Sequence, residues 1–215
     1  MRFGPPDTGS ATMIAVVLGA VLATLGGLVA TQLENLVRRR QRERNAALLF
    51  GEVLSMLEVI LKLADASRER GERYGPLTMR MVRGARREMD IYDRNRESLY
   101  DLRDAQTRVK IHALAVRVTM ALDGVIEATP EIAATEHAAH APGLTKKAKD
   151  ALLARLDLMR ASREGGFDFA LEMAEQIKPL LTELGRLAKH SFEAPRQVVV
   201  AEAEAQILSQ TQPQT

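Results

Sequence analysis

The sequence predicts an all-α protein in which a single N-terminal transmembrane helix continues into a cytoplasmic helical bundle of about four to five helices. Three observations predict it. Thr8 to Leu33 contains no charged side chain. Beyond it, apolar residues recur at spacings of three and four along most of the chain, the signature of amphipathic helices. Gly and Pro cluster between those periodic stretches, where helices start and stop.

Residues 1–10 read as an irregular tail, with Pro5 and Pro6 in it and Thr8 or Ser10 placed to cap the first helix. Residues 11–33 read as the transmembrane helix, because about 20 apolar residues at ~1.5 Å each match the ~30 Å hydrocarbon core of a bilayer. Arg38, Arg39, Arg40, Arg42 and Arg44 come after it, against only Arg2 and Asp7 before it. The positive-inside bias then places the N-terminus outside and the C-terminal domain in the cytoplasm, a single pass of the inner membrane, with the same arginines drawn to anionic headgroups. A cleavable signal peptide fits less well, since its leading region would be almost uncharged and the arginine cluster resembles a stop-transfer signal. Ala11, Ala15, Gly19, Ala23, Gly27 and Thr31 fall at every fourth position, so they share one narrow ridge that lets a second helix approach closely in membrane-helix packing.

Residues 34–127 read as a membrane-proximal bundle. Leu49, Val53, Met56, Ile60 and Leu63 form its first stripe, flanked by Leu54, Leu57 and Leu61, with Gly51 the lone breaker before Gly71. Pro76 suits the first turn of a second helix marked by Leu77, Met81, Ala85, Met89 and Tyr92, with Arg80, Arg83, Arg86 and Arg87 on its other side. Between Arg68 and Lys110 stand twelve basic and eight acidic residues, so interleaved that a solvated face with pairs such as Asp93 with Arg96 and Glu97 with Arg94 outweighs a nucleic-acid surface.

A third helix is predicted over Asp104 to Glu127 with two stripes. Val109, Ala113, Val116 and Met120 make one, and Leu114, Val118, Leu122 and Val125 the other, so burial on more than one side is expected. His112, without a partner motif, reads as a boundary residue. Residues 128–143, bounded by Pro130 and Pro142, read as a linker. Glu136, His137 and His140 there lack the third and fourth ligands that a transition metal needs, so no metal site is assigned.

Residues 144–208 read as C-terminal helices. Thr145 can cap the first, which carries Ala148, Leu152, Leu156 and Met159 and is expected to stop at Gly165 and Gly166. Phe167, Ala170, Ala174, Ile177, Leu181, Leu184 and Ala188 mark the next, with a kink expected near Glu175 to Lys178 because Pro179 removes a backbone donor. Pro195 opens a last helix, and residues 209–215 read as a disordered tail.

The absence of cysteine excludes disulfides, thiolate zinc sites and cysteine nucleophiles. With no tryptophan and few aromatics, stacking platforms for single strands are disfavoured. Glycine-rich phosphate loops, G-x-S-x-G, H-E-x-x-H and paired E-x-x-H motifs are all missing. The expected function is therefore non-enzymatic: a scaffold or accessory subunit, with the lipid bilayer and other membrane subunits or its own copy as partners, no cofactor and no specific nucleic acid. The alternative is a membrane-tethered sensor or regulator whose bundle binds a small ligand or a partner.

Overall fold

The computed structural model describes residues 8–193, with residues 8–17, 20 and 21 described by their backbone alone. Five α-helices and one 3-10 helix succeed one another: α1 (Thr8–Arg70), α2 (Pro76–Arg94), the 3-10 helix (Arg96–Asp101), α3 (Ala105–Ala139), α4 (Lys146–Glu175) and α5 (Ile177–Ala188). Among the described residues there is no strand. The chain divides into two units, Met1–Arg42 and Glu43–Thr215. The helix expected from Pro195, residues 1–7 of the expected 1–10 tail and the tail 209–215 lie outside the described residues, whereas residues 8–10 of that tail already belong to α1.

The transmembrane assignment is corrected by the structure. Among the described residues no helix is long and apolar enough to cross a membrane. Charge returns at Glu34 and continues through Arg38, Arg39, Arg40 and Arg42 on the same helix. The inner-membrane, single-pass placement with an outer N-terminus, and the bilayer as a partner, lose their basis with it.

In the second unit one core joins every helix. Phe50, Leu54, Leu57, Leu61 and Ala64 come from α1, Val82, Ala85, Met89 and Tyr92 from α2, and Ile111, Leu114, Val118, Leu122 and Val125 from α3. The stripe predicted over Phe167 to Ala188 is buried at all seven positions. On α1 the buried seam is rotated from the expected one: Leu54, Leu57 and Leu61 are central, whereas Met56 is exposed. A smaller cluster of Ile132, Ala139 and Leu156 closes the far end of the α3–α4 hairpin.

Local chemistry sets the helix ends. Pro76 occupies the first turn of α2. Asp104 caps α3 by accepting from the amides of Gln106 and Thr107, and Thr145 caps α4 by accepting from Ala148. At the end of α5, Lys189 adopts the left-handed conformation (φ 52°) and the His190 amide donates to the Gly185 carbonyl at 3.1 Å, a Schellman closure.

One expected interruption is shortened to residues 140–145 and another is absent. The expected linker 128–143 is helical to Ala139, since α3 continues through Pro130. Gly165 and Gly166 do not end α4, which continues to Glu175. A Cβ on Gly166 would lie 3.6 Å from the Ala121 carbonyl, in ordinary contact, so α4 runs close beside the α3 backbone at this point. The kink expected between Glu175 and Lys178 coincides with the junction of α4 and α5 at Gln176, whose backbone stays near helical.

Candidate interaction surfaces

Within the first unit, the ridge residues Gly19, Ala23, Gly27 and Thr31 are exposed, and nothing lies within 4 Å of a Cβ built on Gly19, Gly26 or Gly27. The Thr31 hydroxyl donates to the Gly27 carbonyl at 2.9 Å, which satisfies it within the helix. The side chains of Ala11 and Ala15 lie outside the described residues. Larger apolar side chains accompany the ridge: Leu18, Leu22, Leu25, Leu28, Val29, Leu33, Leu36 and Val37 are each 53 to 66% exposed. At about 100° per residue, Leu18, Leu22, Leu25, Val29 and Leu36 share one seam; Ala23, Gly27 and Thr31 lie on the opposite side, with Gly19 between the two. The ridge is legible in the sequence as small residues four apart; the heptad spacing of the large residues is the signal that the four-residue pattern hides.

The arginines assigned to topology have different surroundings. Arg38 pairs with Glu34 one turn earlier, while Arg39, Arg40 and Arg42 are exposed. Arg44 belongs to the second unit, where its Nε donates to the Ala188 carbonyl at 2.9 Å and satisfies an orphan carbonyl at the end of α5.

A polar brace ties the end of α1 to α4. Arg68 contacts Glu164 at 3.1 Å, Asp168 at 2.7 Å and Asp65 at 2.9 Å. Glu164 also accepts from the Tyr74 hydroxyl at 2.8 Å and from Arg73 at 3.2 Å. The Arg163 guanidinium stacks over the Tyr74 ring at 3.8 Å, and Arg68 covers Phe167 at 4.6 Å. Burial, then the hydrogen bond to Glu164, pushes the Tyr74 phenol up to about 12. Burial lowers Arg163 below the usual guanidinium range. With each of these carboxylates facing a cation, the cluster works as a clamp between α1 and α4.

Two histidines are similarly engaged. His112 Nδ1 lies 2.8 Å from the Tyr92 hydroxyl. The His140 ring bonds to the Glu136 carbonyl, and the Glu136 side chain pairs with Arg160. Among the described residues no group of three or more metal-ligating side chains is assembled. On α2 the ion pairs run from Arg86 to Asp90 at 2.6 Å and to Asp123 at 2.7 Å.

On α3 only one of the two predicted stripes faces the core. Leu114, Val118, Leu122 and Val125 are buried, whereas Val109 is 67% and Met120 70% exposed, with Val116 exposed between them. Tyr100, 79% exposed, lies beside this face and joins Arg96, Leu99, Arg108, Val109, His112 and Ala113 in lining an open groove of about 280 Å³.

No family model matches the chain, and it has no match among curated proteins or solved structures.

Proposed function

We propose that this chain is a non-enzymatic scaffold or accessory subunit that assembles through helix packing of its N-terminal unit. One observation carries this reading: eight large apolar side chains between Leu18 and Val37 are more than half exposed on a single helix. A contiguous apolar surface of that kind marks an interaction site. Covering these residues would contribute on the order of 10 kcal/mol at ordinary transfer values. Association costs a similar amount, so a partner has to cover most of the seam or approach closely along the small-residue ridge.

The partner is another helix, from a second copy or from another subunit, and Gly19, Ala23, Gly27 and Thr31 are the face of closest approach. The polar clusters support a structural role, because the Arg68 brace and the Arg86 pairs are taken up in holding helices together.

The cysteine-free sequence makes the test clean. Single cysteines replace Gly27 on the ridge or Val29 on the seam, and each full-length variant is oxidised after purification under native conditions. Gly27→Cys should give a cross-linked species, and Gly19→Leu with Gly27→Leu should dissociate the assembly. Cross-linking at Val29 alone would transfer the contact to the leucine seam. A monodisperse single chain with no cross-link at either position, and no co-purifying subunit, would end the proposal.

A further inference from the structure

We infer that the exposed face of α3 is a docking site for an acidic amphipathic helix of a partner protein. This inference stands apart from the N-terminal unit and uses only residues of the second. Val109, Ala113, Val116 and Met120 keep spacings of four, three and four, so they form a straight apolar strip about three turns long. A partner helix reads such a strip through its own residues at i, i+3, i+4 and i+7. The opposite strip of the same helix, from Leu114 to Val125, already fills the core, so the exposed one is surplus to folding.

Charge identifies the partner. Between Asp104 and Asp123, α3 carries Arg108, Lys110 and Arg117 and no acidic residue. At about 100° per residue, Lys110 and Arg117 border one edge of the strip; Arg108 lies beyond the other, where Asp123 is paired with Arg86 of α2. Arg96 adds a further cation to the groove at its N-terminal end, beside Tyr100. The nearby acids are Glu97 and Asp101, next to Arg96 and Tyr100 on the 3-10 helix, and Glu127, exposed two turns beyond Met120 at the C-terminal end of the strip. An apolar strip with the basic edge of Lys110 and Arg117 complements a helix with an apolar stripe beside acidic residues, and it repels a basic one. Tyr100 supplies a large amphipathic contact at the entrance, of the kind that anchors interfaces.

The probe is a fluorescein-labelled synthetic helix of about three heptads, with Leu at the a and d positions and Glu on both flanks. A control peptide carries Lys in place of each Glu. Binding to the full-length protein is measured by fluorescence anisotropy. The acidic peptide should bind, and Val116→Asp with Met120→Asp should weaken it at least about tenfold, the loss of one or two anchor residues. Lys110→Glu with Arg117→Glu should weaken the acidic peptide and admit the lysine peptide. All four positions are exposed, so circular dichroism melts should stay near wild type. Equal binding of the two peptides to the wild type, or acidic-peptide binding that none of the four substitutions changes, would overturn the inference. So would tighter, Met120-dependent binding of anionic vesicles or duplex DNA than of the peptide. Loss of a homodimer in Met120→Asp would assign the face to a second copy instead.

Discussion

Gly51 looks like a defect in α1, yet the structure makes it a socket. Phe192, 5% exposed, sits where a side chain at position 51 would be: a Cβ there would lie 2.1 Å from the ring's Cζ and 2.5 Å from Cε2. The same ring approaches Gly185 and meets His190 edge-on at a centroid distance of 5.0 Å. Truncating such a buried ring, Phe192→Ala, should cost about 3 kcal/mol, the low end for a core phenylalanine because the residue lies just past the last helix. In an ordinary exposed helix Gly→Ala would stabilise by about 1 kcal/mol. Here Gly51→Ala has to expel the ring. The loss of about 3 less the gain of about 1 leaves a net destabilisation of about 2 kcal/mol. With the ring already removed, the same substitution should recover its helix gain, so the double variant should be more stable than Phe192→Ala by about 1 kcal/mol. The sign of Gly51→Ala thus reverses between the two backgrounds, a coupling of about 3 kcal/mol in size. Urea unfolding of the four proteins at one protein concentration, monitored at 222 nm, measures it. A stabilising Gly51→Ala in the wild-type background would refute the reasoning.

The same geometry sets other outcomes. Arg44→Ala should destabilise by about 1 kcal/mol, since it removes the donor to the Ala188 carbonyl, with the loss read from the same urea curves. The Tyr74 and Tyr92 phenols are both pushed up to about 12, in each case chiefly by burial. Because the folded values lie above the unfolded one near 10, this contribution is complete below about pH 10 and is lost as pH rises towards 12. Phenolate absorbance at 295 nm should show both tyrosines ionising late, and Tyr74→Phe should flatten the alkaline fall in stability. Asp104 behaves in the opposite sense: hydrogen bonds from the Thr107 hydroxyl and amide and the Gln106 amide hold its carboxyl below the usual range. Its contribution is present above the unfolded value near 4 and fades as pH falls through the lower folded value, so Asp104→Asn should reduce the acid sensitivity of the melting temperature.

Sequence alone settled what local chemistry settles. The Gly71 and Gly75–Pro76 break, the Asp104 and Thr145 starts and the α4–α5 junction before Pro179 all depend on φ limits, missing donors and short-range caps, which lie within a few residues of the feature. The long apolar and amphipathic stretches fixed the all-helical class for the same reason. Packing decided the rest. Two stripes on α3 looked alike in sequence, and only the arrangement of neighbouring helices turned the Leu114 stripe inward and left the Val109 stripe exposed. Gly51 and Gly166 read as breakers, but one faces the Phe192 ring and the other lies inside α4 against α3, beside Ala121. Arg44 read as one cation in a cluster, whereas its carbonyl partner lies 144 residues away in sequence. Periodicity states that a face is apolar; which surface covers it is a non-local property, set by shape and volume across the assembled bundle.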